Sequence, residues 1–326
     1  MDTNNSMKIG LRLPQTDKYR ATKENIISLA KGAENAGFDS LWVLERLIWP
    51  INPHDPYPGT SDGKFPTDWQ YIFEPLETLT YVAANTEKIA LGTSVVDMLF
   101  HNPVILARRF VTLDVLSKGR CIAGLGIGWS KDEYHASNIP FRDRGKRADE
   151  YIQILKKIWT EDIVEFKGRY YSIPASKVGP KPIQKSHIPI YFGGYNQRTF
   201  VRIANYASGW ICVIRNSLDD VKSCIDRIRN ECYNAKRDPK DVHIAAILYP
   251  DVVDYSHTDN ERKHGNDSKS KQRQLLSGSI DQIGKDLQDI KEIGVDHTIL
   301  NFNRSPINNN IDNIIDVSKQ LSGFIR

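Results

Sequence analysis

Long apolar runs are missing from this 326-residue chain. No stretch reaches the ~18 consecutive apolar residues that a membrane-spanning helix requires. The polar start MDTNNSMKIG also lacks the apolar core of a signal peptide. We therefore expect a cytoplasmic protein that has no membrane partner.

Cysteine is scarce, and neither sign of charge is in large excess. The four cysteines form no C-x-x-C pair, so the sequence predicts buried, reduced thiols and neither a disulfide framework nor a metal site. The 44 basic and 40 acidic residues give a net charge of +4. Because the basic residues are spread along the chain, the pattern does not indicate a nucleic-acid-binding protein.

One joint recurs along the chain: an amphipathic helical pattern, then a glycine, then a short apolar run. It occurs at 30–44, 115–128, 203–214 and 290–302. Glycine supplies the left-handed residue that ends many helices, and a short apolar run is typical of a buried strand in a parallel sheet. The pattern predicts alternating β and α units.

Eight strands are predicted, and a last helix is predicted at Ile311–Leu321. The strands are Lys8–Leu13, Asp39–Leu44, Lys88–Val96, Arg120–Ile127, Ile188–Phe192, Gly209–Ile214, Val242–Tyr249 and Asp296–Asn301. Eight such units in a chain of this length predict an α/β fold of the (β/α)8 TIM barrel type, with a doubly wound sheet as the alternative. We expect residues 1–7 to be an N-terminal extension and residues 8–326 to form a single barrel domain.

Three segments are too long to be ordinary connections. They are 47–68, 160–187 with a predicted hairpin at EFKGRYYS, and 254–277. The first and third follow predicted strands. They are therefore expected at the C-terminal mouth of the barrel, where active sites of this fold lie.

The stretch IAGLGIGWSKDEY, residues 122–134, contains three glycines at alternate positions. It is not a dinucleotide fingerprint, because its spacing is G-x-G-x-G and Trp129 stands where the last glycine would fall. In a strand, Gly124, Gly126 and Gly128 lie on one face. Such glycines indicate either tight barrel packing or a surface against which a flat ring can lie.

A second glycine motif, IYFGGYNQRT, covers residues 190–199. A predicted strand runs into Gly193-Gly194, and Asn196 is a favourable N-cap for the helix that follows. Backbone N–H groups at such a helix start, with Arg198 in its first turn, predict a phosphate site. The alternative is a glycine loop that binds no ligand.

Charged residues also follow the second and third predicted strands. Glu45-Arg46 ends the second strand and Asp97 ends the third, so these side chains are expected at the mouth. The alternative for the first two is an ion pair, either mutual or with other charges at the mouth. For His101 we expect a role in local structure.

Long runs of the chain resemble the luciferase-like superfamily, which includes bacterial luciferase, flavin monooxygenases and oxidoreductases that use the deazaflavin coenzyme F420. The matching runs include LGTSVVDMLFHNPVILARRFVTLDVLSKGR, CIAGLGIGWSKDEY, RDRGKRADEYIQILKKIW and IPIYFGGYNQRTFVRIANYASGW. The similarity is greatest to the F420-dependent branch. It implies a (β/α)8 barrel with the cofactor ring at the mouth, and a homodimer.

The resemblance also implies where the cofactor binds. A cis peptide bond at Ser94-Val95 would support the ring, Asp97 would contact the cofactor, and phosphate would lie near 129–134 and 193–198. The expected cofactor-binding residues are Ser94, Val95, Asp97, Gly126, Gly128, Trp129, Asp132, Gly193, Gly194, Asn196 and Arg198.

The chain departs from the family pattern at two positions. The family usually has a histidine where this chain has Arg46, and arginine is a poor proton shuttle because it stays protonated. Arg46 would instead hold an anionic substrate or the acidic tail of the coenzyme. Trp129 replaces a glutamate of the members that oxidise sugar phosphates, which argues against that activity. Glu45, Arg46 and Tyr134 are the catalytic candidates, and His54 is a further candidate for proton transfer.

The leading functional hypothesis is F420-dependent hydride transfer to or from a small organic substrate. The alternative is a monooxygenase that uses reduced FMN and O2 and depends on a separate flavin reductase; an F420 reductase would be the corresponding partner of the first enzyme. A third hypothesis is a flavin-binding barrel without catalytic activity.

Overall fold

A computed structural model describes residues 6–60, 62–214, 217–253, 273–303 and 305–326. Residues 1–5 of the predicted extension and residues 254–272 of the third insertion lie outside the described residues.

Eight parallel strands form a closed barrel, which confirms the predicted TIM barrel and excludes the doubly wound alternative. The strands are β1 (Lys8–Arg12), β2 (Ser40–Val43), β3 (Ala90–Thr93, resuming as Val96–Asp97), β4 (Cys121–Gly126), β5 (Ile190–Gly193), β6 (Gly209–Val213), β7 (His243–Leu248) and β8 (His297–Leu300). Each strand pairs with the next in sequence. Pairing of β8 with β1, at Ile9 and Thr298 for example, closes the barrel.

Helices pack around the barrel. They are α1 (Lys23–Asn35), α2 (Pro75–Ala83), α3 (Pro103–Leu116), α4 (Lys131–Ala136), α5 (Arg144–Thr160), α6 (Gln197–Tyr206), α7 (Leu218–Asn234), α8 (Ile280–Glu292) and α9 (Ile311–Ser322). The predicted hairpin is present as the antiparallel strands Val164–Lys167 and Ser172–Ser176. In the part of the chain that the structure covers, no helix has the length and apolar character to cross a membrane.

The period-two alternation of the strands separates two cores. Residues on the outer faces, such as Leu41 and Leu125, join the large core under the helices. Inward-facing side chains form a smaller core that fills the barrel: Trp42, Tyr191, Ile211, Ala245, Ile247 and Ile299. The barrel is therefore solid below its mouth, and any cavity must lie above this layer.

At three of the four predicted helix-to-strand connections, the glycine ends the helix as expected. Gly37, Gly119 and Gly294 have the left-handed backbone that ends a helix. Gly209 does not, because it is already the first residue of β6. A Cβ atom on Gly209 would lie 2.8 Å from the Tyr191 ring, so this glycine is required by packing inside the barrel.

Gly124 is also required by packing rather than by a ligand. A Cβ atom on it would lie 1.7 Å from the carbonyl oxygen of Thr93 and 2.9 Å from Ile211. The Thr93 hydroxyl donates a hydrogen bond to the Gly124 carbonyl oxygen at 2.7 Å. The packing interpretation of the glycine stretch is therefore correct at this position.

We predict that Gly124→Ala destabilises the fold by at least about 3 kcal/mol, because a contact with backbone cannot be relieved by a rotamer change. Gly179→Ala is the control, since a Cβ there meets nothing within 4 Å. Denaturant unfolding of both variants measures the difference. Equal stability of the two variants would show that β3 and β4 do not depend on this close approach.

Candidate active site

A cavity of about 390 Å³ lies at the C-terminal mouth of the barrel. That volume is within the range of small-molecule and cofactor sites. Nine of the eleven expected cofactor-binding residues line it: Ser94, Val95, Asp97, Gly126, Gly128, Trp129, Gly193, Gly194 and Asn196. Apolar residues that sequence reasoning missed complete the wall, among them Phe141, Ile211, Val213 and Ile247.

The floor of the cavity is formed where β3 and β4 end. The Ser94-Val95 peptide bond is cis, as the resemblance implied. A Cβ atom on Gly126 would lie 2.6 Å from Asp97 Oδ1 and 2.7 Å from Val95 Cγ2. A larger residue at 126 would therefore displace Asp97 and Val95 as well as fill the cavity.

Asp97 is a buried carboxyl group on the cavity wall. Its Oδ1 accepts a hydrogen bond from the Gly128 N–H at 3.0 Å. Burial, and then the nearby carboxylates of Glu45 and Glu133, raise the pKa of Asp97 from 3.8 to about 7. Asp97 therefore exchanges a proton near neutral pH, as a general acid or base must.

Glu45 fixes the end of β3. One carboxylate oxygen accepts a hydrogen bond from the Asp97 backbone N–H at 2.8 Å, and the other lies 2.7 Å from His101 Nε2. His101 therefore contacts Glu45, a catalytic candidate that is distant in sequence. The role expected for His101 from sequence is in local structure only. Neither Glu45 nor His101 lines the cavity, so we assign both to holding Asp97 in place.

Arg46 forms a buried ion pair with Glu133 at the start of α4. Its Nη2 lies 2.7 Å from Glu133 Oε2, and the two side chains are 6% and 0% exposed. The other Glu133 oxygen accepts a hydrogen bond from the Leu47 N–H at 2.9 Å. Because Arg46 is already paired, we assign it to structure instead of the anion binding considered from sequence.

Three aromatic rings enclose the Arg46 guanidinium. Its Cζ lies 5.7 Å from the ring centre of Phe65, 5.4 Å from that of Trp69 and 5.2 Å from that of Trp129. Phe65 belongs to the 47–68 segment and Trp69 follows it directly, whereas Trp129 lines the cavity. Cation–π attraction in this buried setting adds to the ion pair and links the segment to Trp129 in the cavity wall.

Further contacts hold the 47–68 segment to α4. The side chain of Asp132 accepts from the His54 backbone N–H at 3.0 Å and also binds the His54 ring. Lys131 pairs with Asp55 at 2.8 Å. Asp132 and His54 therefore bind each other, and neither reaches the cavity. The stretch 129–134, near which the resemblance placed a phosphate, contains the start of α4, which Ser130 caps.

Tyr134 is a buried residue of α4. Its hydroxyl donates to the Ile127 carbonyl oxygen, and its ring packs edge-on against Phe100 and Phe141. Burial, and then Asp97, raise the pKa of Tyr134. With its proton engaged and its ring outside the cavity lining, we assign Tyr134 to packing.

A second cleft, of about 410 Å³, adjoins the cavity and shares Ile127, Arg144 and Asn196 with it. The N-termini of α5 and α6 both meet there, and the Asn196 side chain caps α6 by accepting from the Thr199 N–H at 2.9 Å. Four cations line the cleft, namely Arg144, Lys146, Arg198 and Arg202, against one carboxylate, Asp143. Helix N-termini and cations together form an anion site.

Sequence reasoning found Arg198 but missed Arg144 and Lys146 in this cleft. The run RDRGKR at 142–147 was the available signal, because it places several cations at the start of a helix that follows β4. Arg202 is buried and bound to Asp149 and the Gly145 carbonyl oxygen. In the described ranges, no group of His, Cys, Asp and Glu residues could hold a metal ion.

Comparison with known proteins identifies relatives over most of the chain. The family model described as luciferase-like monooxygenase matches residues 7–264. A similar curated protein is an F420-dependent glucose-6-phosphate dehydrogenase of Amycolatopsis mediterranei, which is 30% identical over 203 residues. The match covers 60% of this chain and 56% of the relative.

Two solved structures share the whole fold. An F420-dependent secondary alcohol dehydrogenase in complex with an F420-acetone adduct superposes with a TM-score of 0.76 at 19% identity, over 98% of this chain and 99% of the other. A long-chain alkane monooxygenase superposes with a TM-score of 0.74 at 17% identity, over 98% and 91%. At these identities the two structures establish the fold alone.

We predict that Asp97→Asn makes the protein more stable at pH 8 by at least about 1 kcal/mol, and that this gain disappears near pH 4. The raised pKa means that the folded wild type keeps its proton after the unfolded chain has lost it. Wild-type stability therefore falls as the pH rises from about 4 to 7. Asparagine does not titrate and still accepts from Gly128. Unfolding at the two pH values tests this, and a gain that is independent of pH would contradict it.

We predict that Glu133→Gln lowers the free energy of unfolding by about 3 kcal/mol, because Arg46 is left buried without a counter-charge. The control is Glu77→Gln, which removes the exposed bridge to Arg109 and is expected to change stability by less than about 1 kcal/mol. Denaturant unfolding gives both values. An equally small effect of the two variants would show that the Arg46–Glu133 pair does not hold the mouth together.

Proposed function

The chain belongs to the luciferase-like monooxygenase family, and from this premise we propose that it is an F420-dependent oxidoreductase that transfers a hydride to or from a small organic substrate. The observation that carries the proposal is the cationic cleft beside the cavity. FMN carries a single phosphate, which one helix N-terminus can bind, whereas F420 continues beyond its phosphate into an acidic tail. Two helix N-termini and three cations that have no carboxylate partner among the described residues, Arg144, Lys146 and Arg198, fit the longer anion.

The cavity fits the ring part of such a cofactor. Its wall combines apolar side chains from β6 and β7 with Gly193 and Gly194, which are half-buried and leave backbone accessible to a flat ring. The cavity opens into the cationic cleft through their shared residues. A ring in the cavity and an anionic tail in the cleft would therefore belong to one molecule.

When bound, F420 supplies the hydride donor or acceptor, and the protein supplies position and proton handling. Trp129 and Phe141 contribute apolar surface to the cavity wall. Asp97 holds or releases a proton at its carboxyl group near neutral pH. It thereby takes the role that Arg46, a permanent cation, cannot fill. Glu45 keeps Asp97 in place by accepting a hydrogen bond from the Asp97 backbone N–H.

Relatives support both this proposal and its alternative. The similarity to the F420-dependent glucose-6-phosphate dehydrogenase extends over 203 residues, which favours F420. The matching family model is described as luciferase-like monooxygenase, which keeps a reduced-FMN monooxygenase as the second candidate. The homodimer and the separate reductase stay predictions.

The direct test is fluorescence titration of the cofactor-free protein with F420 and with FMN. We expect F420 to bind at least about tenfold more tightly, with a steeper loss of affinity as salt rises, because more charges are neutralised in the cleft. Tighter binding of FMN would favour the monooxygenase and turn the assay to oxygen consumption. Binding of neither compound would reject both candidates.

We predict that Asn196→Asp weakens F420 binding about tenfold at low salt, because it adds a negative charge to the cleft. The variant keeps the helix cap, since aspartate accepts from Thr199 as asparagine does. The matched control is Asn310→Asp at the N-cap of α9. Asn310 lines neither the cavity nor the cationic cleft. If the two variants bind F420 equally well, the anion is held elsewhere.

A further inference from the structure

Arg12 is the last residue of β1, on the inner face of the barrel at its mouth. The register follows from Gly10, where a Cβ atom would lie 2.7 Å from Trp42 Nε1 inside the barrel. Ile9 and Leu11 belong to the outer core. Because strand residues alternate, the Arg12 side chain projects inward above the filled layer.

The Arg12 guanidinium is buried without a carboxylate partner in the described ranges. The residue is 8% exposed, and only its Nη1 has acceptors there, Ser94 Oγ at 2.6 Å and the Ser94 carbonyl oxygen at 3.5 Å. Burial lowers the pKa of Arg12 to about 10, opposed by Tyr249, Tyr57 and Asp68. Arg12 is therefore still a cation at neutral pH, and Ser94 joins it to the cavity wall.

The two other buried arginines of the described residues each have a carboxylate partner, although the Nε–H of Arg46 donates no hydrogen bond of its own there. Arg46 pairs with Glu133, and Arg202 pairs with Asp149. Arg120 donates to four backbone carbonyl oxygens and one threonine hydroxyl. Among the described residues, Arg12 has neither arrangement at its Nε and Nη2 edge. Buried charges in proteins are normally paired, so this edge is suited to an anionic ligand.

The cofactor is not that ligand in the arrangement proposed above. The cationic cleft follows β5, and β5 lies opposite β1 in a closed barrel of eight strands. An anion at Arg12 therefore enters the mouth from the side away from the cleft. Ser94, which accepts the hydrogen bond from Arg12, also lines the cavity beside Val95.

We propose that the Nε and Nη2 edge of Arg12 binds a carboxylate group of the substrate, so that the enzyme acts on an organic acid. The inference rests on the proposed function, because it assigns a substrate class to the same mouth. The planar guanidinium offers two parallel N–H groups at this edge, which match the two oxygens of a carboxylate.

The test compares acids with their uncharged amides. Acetate, benzoate and cinnamate, and the three corresponding amides, are titrated into the protein loaded with F420 or FMN, and also into the cofactor-free protein, by calorimetry. We expect at least one acid to bind about tenfold or more tightly than its amide, since a charged hydrogen-bonded pair is worth that much. Equal binding of every acid and amide would overturn the proposal.

Variants then assign the preference to Arg12. Arg12→Met is expected to abolish the acid preference, and Arg12→Lys to keep part of it. Lys18→Met, which removes an exposed cation from the loop after β1, is expected to keep it fully. A preference that survives in folded Arg12→Met would overturn the assignment. If Arg12→Met does not fold, the wild-type comparison and Arg12→Lys decide.

Failure of this proposal can be told apart from failure of the proposed function. If the wild type binds neither F420 nor FMN, the proposed function is rejected. The acid preference of the cofactor-free protein then tests the Arg12 proposal separately. Normal cofactor binding with no acid preference would reject the Arg12 proposal alone.

Discussion

The buried ion pair between Arg46 and Glu133 joins the three segments on which the mouth depends. Arg46 follows β2, Glu133 lies in α4 after β4, and the Leu47 N–H bound to the same carboxylate begins the 47–68 segment. Trp129 completes the aromatic enclosure of the guanidinium and is also part of the cavity wall. The charge pair therefore links one part of the cavity wall, Trp129, to the segment that follows β2.

Charge is distributed around the mouth in three zones with different tasks. The cleft after β5 is cationic and fits the anionic end of a cofactor. Asp97 on the cavity wall exchanges a proton near neutral pH because burial and two carboxylates oppose its ionisation. Arg12 on the opposite side is a buried cation suited to an acidic substrate. An oxidoreductase needs these three tasks, namely anchoring, proton exchange and substrate orientation.

The sequence predicted much of this because the relevant signals are local. Helix–glycine–strand joints predicted the barrel, and the Gly193-Gly194-Asn196 motif predicted a helix start with a cap. The pairings across the mouth have no local signal. Arg46 and Glu133 are 87 residues apart, and Arg12 meets Ser94 across 82 residues. Gly124 and Gly126 look identical in sequence, yet a Cβ atom would meet the backbone of Thr93 at the first and the side chain of Asp97 at the second.

A crystal structure of the protein with F420 bound would locate both ends of the cofactor. We expect the ring in the cavity against Val95 and Gly126, and the phosphate and acidic tail in the cleft between the starts of α5 and α6. A ring bound outside the mouth, or a tail that leaves the mouth on the Arg12 side, would contradict this arrangement.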